Sequence, residues 1–101
     1  MTDLQELSRE AARKLPKKWH DPTGLITTPD GLIVDADELA SNTSACTEIA
    51  VHFGIDIYFS IVRQSVCTVA PRTRAQEVTF KDAGSKIQAF RTAVIRAVVA
   101  L

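Results

Sequence analysis

The sequence is poor in the residues that carry most small-protein chemistry. It holds two cysteines, two histidines, one tryptophan, one tyrosine and one methionine in 101 residues. Two thiols, Cys46 and Cys67, are too few for the disulfide framework of a small secreted domain. Both are expected inside, as small apolar side chains. The four glycines stand apart at 24, 31, 54 and 84, so there is no glycine-rich phosphate loop. Nor is there a Gly-x-Ser-x-Gly elbow for a nucleophilic serine. No cysteine or histidine pair has the close spacing of a structural zinc site. Cys46 and His52 are separated by about 600° of helical rotation and point to different faces. No metal, no cofactor and no catalytic residue is therefore expected. Charge of one sign is also missing, with 12 Lys+Arg against 12 Asp+Glu. Sequence-blind binding to polyanions needs a net basic surface, so that class is disfavoured. No apolar run approaches the ~18–20 residues of a membrane span, and no membrane partner is expected. The start, Met1-Thr2-Asp3-Leu4-Gln5, is acidic and polar rather than basic and then apolar. That predicts no secretory signal and a cytoplasmic location.

What is present is a regular hydrophobic pattern. Hydrophobic residues make up 46% and charged residues 24%, the balance of a globular chain. One domain over residues 1–101 is expected at this length. A first helix is predicted from Thr2 to about Leu15, capped by Thr2 with Gln5 completing a capping box. Leu4, Leu7, Ala11 and Leu15 form its apolar stripe, and Pro16 ends it. Residues 17–24 read as a loop. Leu25–Val34 reads as a small hairpin around Pro29-Asp30-Gly31. Residues 35–44 read as a turn or short helix.

From residue 42 the order is helix, three strands, helix. Asn42, Thr43 and Ser44 offer alternative caps for a helix over about 45–53, and Gly54 stops it. Ile55, Ile57, Phe59 and Ile61 alternate with Asp56, Tyr58 and Ser60, which predicts a half-buried strand. Val66–Ala70 is a second strand. Glu77–Lys81 is a third, with Val78 and Phe80 inward. The last helix carries Ile87, Phe90, Val94, Val98 and Leu101 on one stripe, broadened by Ala93, Ile95, Ala97 and Val99. That width predicts either a wedge between two packing surfaces or pairing with a second copy, through residues 87–101 or a sheet edge. The fold class is α+β: a three-stranded antiparallel meander flanked by two helices, with an added N-terminal helix and short hairpin arm over 1–35.

The Asn42-Thr43-Ser44 helix opening, the strands at 55–61 and 66–70, Glu77-Val78-Thr79-Phe80, and the Ala-rich closing helix with Arg91 and Arg96 resemble the phage ABA-sandwich domain proteins. The resemblance spans roughly residues 40–100. It implies a small phage or prophage accessory protein acting inside a bacterial host cell. It brings no catalytic residues.

Binding is then the expected class, and a host protein the expected partner, with inhibition of a defence system as one such role. Lys14, Lys17, Lys18 and Trp19 form a basic-aromatic cluster beside His20. Arg72 and Arg74 lie in a second loop, and Arg63 in a turn. Cations of this kind contact phosphates, and a tryptophan stacks on bases, so a nucleic acid or nucleotide is the alternative partner. The opposing reading places the lysines at a helix C-terminus and Trp19 in the core. His20-Asp21 is the only fragment suggestive of hydrolytic chemistry, and a dipeptide is near chance.

Overall fold

The computed structural model describes residues 3–101. Helix α1 spans Asp3–Lys14, with acids in its first turn and bases in its last, as the helix dipole favours. Its inner face buries Ala11 and Ala12, and Leu15 is buried just beyond its end. The cap expected at Thr2 lies outside the described residues. After Pro16 the chain makes a 3-10 turn over Lys17–Trp19. Strands β1 (Leu25–Thr27) and β2 (Ile33–Asp35) then pair antiparallel, Ile26 facing Val34. This is the expected hairpin. A second 3-10 segment, Ala36–Ser41, fills the stretch read as a turn or short helix.

Helix α2 spans Thr43–Phe53. Of its three candidate caps the chain uses Asn42, whose side-chain oxygen accepts from the Ala45 N–H at 2.9 Å. Gly54 closes the helix at φ +66°, a left-handed position that costs other residues strain. Strands β3 (Asp56–Ser60), β4 (Ser65–Val69) and β5 (Gln76–Thr79) form an antiparallel sheet in that order. The register sets Tyr58 opposite Cys67 and Val66 opposite Val78. A short helix α3 (Phe80–Ala83) leads to α4 (Lys86–Val99), capped by Ser85. The fold is α+β.

Helix α4 accounts for its own wide apolar face. One side packs on β4 and β5, the other on α1, α2 and the 36–41 segment. Ala93, Val94, Ile95, Ala97 and Val98 are all fully buried between these layers. Of the two explanations for that width, the wedge holds over this part of the helix. Thr68 fastens β4 to it by donating to the Ala93 carbonyl at 2.8 Å. On the far layer, buried Ser8 accepts from the Ala40 N–H at 3.0 Å and donates to the Leu4 carbonyl at 2.7 Å. Arg9 and Asp37 form an ion pair across the same contact.

Two sequence expectations need correction. Phe80 is not in the third strand. Thr79 accepts from the Asp82 N–H at 3.1 Å, and this cap turns the chain into α3 two residues before the expected strand end at Lys81. The alternating strand is also only half covered. Helix α4 lies mainly over β4 and β5, so on β3 Ile57 is partly buried while Phe59 and Ile61 are exposed.

Candidate functional site

The residues singled out in the sequence fall into two separate groups. Lys17 and Lys18 are exposed on the 3-10 turn, and His20 is exposed beside it. Trp19 is 2% exposed and packs its ring against His52, with centroids 4.9 Å apart and planes tilted by 57°. It is a core residue with no face free for a base. Lys14 donates to the Leu101 carbonyl, tying α1 to the C-terminal end. Arg72 and Arg74 are exposed on the β4–β5 turn, Arg72 at φ +63°. No hydrogen bond or ring contact among the described residues joins this turn to residues 17–20. Arg63 pairs instead with Glu77 at 3.1 Å.

The His20-Asp21 fragment has a local structural job. Asp21 accepts from the backbone N–H and the hydroxyl of Thr23, at 2.7 and 2.5 Å. The Thr23 hydroxyl first, then its N–H, holds the Asp21 carboxyl below the usual carboxylate range. That carboxylate fixes a turn between the 3-10 segment and β1. No group of three or more His, Cys, Asp or Glu among the described residues could hold a metal ion. No described helix is long and apolar enough to cross a membrane.

Both cysteines are free thiols. Cys46 is fully buried on α2 and donates to the Leu39 carbonyl at 3.2 Å. Burial pushes its thiol up to about 12, against a smaller opposing pull from Arg91. The folded thiol therefore stays protonated where the unfolded one ionises, near an ordinary value of about 8.5. Its contribution to stability is complete below that value and is lost as pH climbs towards 12. Chemical denaturation across this window should show a fall of up to about 1.4 kcal/mol per pH unit from this group. Cys46→Ala should flatten that part of the fall. The same slope in both proteins would exclude Cys46 as its source.

The surface feature that sequence reasoning missed lies along β3. Phe59 is 60% exposed, Tyr58 58%, Ile61 84%, Val62 96% and, on α2, Val51 78%. Three shallow grooves run along this flank. One of about 310 Å³ lies between α2 and β3 and includes Val51, Gly54, Ile57 and Phe90. A second, about 260 Å³, is lined by Phe59, Lys86, Ile87 and Phe90. The third, about 340 Å³, joins Phe59 and Ile61 to Phe80. Phe90 links the first to the second, and Phe59 and Lys86 link the second to the third. Lys86 also stands 5.8 Å over the Phe80 ring. Together they make one apolar trough along β3 on the α4 side of the sheet. The signal in the sequence was the mixed face: Tyr58 and Val62 occupy positions a half-buried strand would give to polar residues.

The trough ends in a rigid tip. The Arg63 N–H donates to Ser60 Oγ at 3.1 Å, and Gln64 Nε2 donates to the Ile61 carbonyl at 2.7 Å. The Gln64 carbonyl accepts from the Phe80 N–H at 2.8 Å. These bonds hold Ile61 and Val62 outward on a fixed turn.

Comparison with protein-family models, with curated proteins and with solved structures gives no match.

Proposed function

We propose that the protein is a non-enzymatic binding module that works by contact with another protein chain. The observation that carries this reading is the apolar trough and tip along β3. Contiguous exposed apolar surface on a small domain marks a contact site more often than a free surface. Aromatic anchors such as Tyr58 and Phe59 supply most of the energy in protein interfaces. The separate basic turns, with Trp19 withdrawn into the core, favour protein over nucleic acid as the partner class. The resemblance to phage ABA-sandwich proteins supports an accessory role among the proteins of a bacterial host.

A photo-activated cross-linker placed at Val62 tests the reading in cells. Covalent protein adducts are expected from that position. The same probe at exposed Glu10 on α1 should give none. Absence of protein adducts at Val62, or equal yields at both positions, would end it.

A further inference from the structure

We infer that the occupant of the trough is a second copy of this chain, paired edge to edge through β3. This rests on the protein-binding reading and names the partner. Strand β3 is an edge of its sheet, and no other described strand covers its outer side. Such an edge presents a row of unpaired N–H and C=O groups, and natural edges are guarded by lysine, proline or a bulge. The strand Asp56-Ile57-Tyr58-Phe59-Ser60 has no lysine or proline and pairs with β4 without a break in register. The opposite edge, β5, is followed directly by α3, whose N-terminal residue Phe80 is bonded back to Gln64.

A two-fold axis at Tyr58 makes the flank self-complementary. Antiparallel pairing about it sets Asp56 opposite the second copy's Ser60, so the two acids do not meet. It sets Ile57 opposite Phe59 on the helix side of the sheet. One residue past the strand end, where the chain turns towards β4, the same register leaves Ile61 of each copy nearest Ile55 of the other, which borders the groove next to Val51. The result is a six-stranded sheet with both α4 helices on one face. The area is sufficient. Exposed side chains of these types present on the order of 500 Å² per copy, and joining two copies removes about 1,000 Å², where specific interfaces begin.

Sedimentation equilibrium on the full chain tests this. The mass should rise from 11.0 kDa to twice that value as concentration increases through the micromolar range. Phe59→Glu should raise the dissociation constant at least about thirty-fold, the effect of losing one aromatic anchor. As Phe59 is exposed, its far-ultraviolet dichroism should not change. Ile61→Asp is a second variant with the same expectation. Register is read by a disulfide. Tyr58→Cys is made with Cys67→Ser, because Tyr58 faces Cys67 within one copy. Opposed antiparallel Cα atoms lie about 4.5–5.5 Å apart, within disulfide reach. Mild oxidation should then link two copies, whereas Ser60→Cys should not. A monomer at every concentration overturns the inference, as does a dimer that survives both charge variants or one that Tyr58→Cys fails to link. If the protein stays monomeric while Val62 still cross-links to a different protein, the inference falls and the binding-module reading stands.

Discussion

Replacing Trp19 with alanine is expected to remove about 3–5 kcal/mol of stability, the cost of deleting a buried aromatic ring. Domains of this size hold on the order of 5–10 kcal/mol in total, so half of it rests near this one residue. The ring is almost wholly inside and leans on His52, which in turn meets Phe53 edge-on with centroids 4.8 Å apart. Its loss opens a void under the 3-10 turn that follows Pro16. Trp19→Phe should cost much less, about 1–2 kcal/mol. The smaller ring fills most of the space, and the change removes an indole N–H that has no partner among the described residues. Urea titration followed by dichroism checks both, with the slope m unchanged. A loss below about 1 kcal/mol for the alanine variant would show that the ring does not hold the core.

The fate of this tryptophan shows where the sequence was legible. Its neighbours Lys17 and Lys18 made a basic-aromatic cluster on paper, and only burial separates that from a core ring above a lysine-bearing turn. Burial is a property of the other elements. The three long helices, the hairpin and the sheet order could be read because caps, glycine stops and alternation act locally, whereas the short helix α3 was missed. Asn42, Gly54 and the Pro29-Asp30-Gly31 turn each act within a few residues. Which half of β3 is covered could not be read that way. Alternation gave Ile57 and Phe59 the same face, and they share it. Coverage depends on where α4 crosses the sheet, and that follows from the packing of Ala89 and Ala93 against Val66 and Val78. Of the trough along β3, only the mixed face at Tyr58 and Val62 left a trace in the sequence, and its extent was hidden for the same reason.

Leu39→Ala is expected to cost about 3–4 kcal/mol, within the range for a fully buried leucine in a site that cannot collapse. Leu39 is completely inside, in the 3-10 segment held against α1. Ser8 fixes the backbone of the next residue, Ala40, and the Leu39 carbonyl receives the Cys46 thiol. These bonds pin the segment from both sides, so little relaxation can fill the void. Thermal unfolding should shift down by on the order of 15 °C. A shift of only a few degrees would mean that the 36–41 segment yields, and that the layer beneath α4 is softer than its hydrogen bonds imply.

The position of α4 bears on how the chain is made. It is the central layer, yet it comes last in sequence. During synthesis, at roughly 5–20 residues per second, the earlier hairpins and helices emerge with their inner faces uncovered. The 36–41 segment can shelter part of α1, but the inner face of the sheet has no cover until residues 86–99 leave the ribosome. Until then Val66 and Val78, which Ala89 and Ala93 cover in the folded chain, are open to any neighbouring nascent chain, so the yield of folded protein should depend on how crowded its own messenger RNA is with ribosomes.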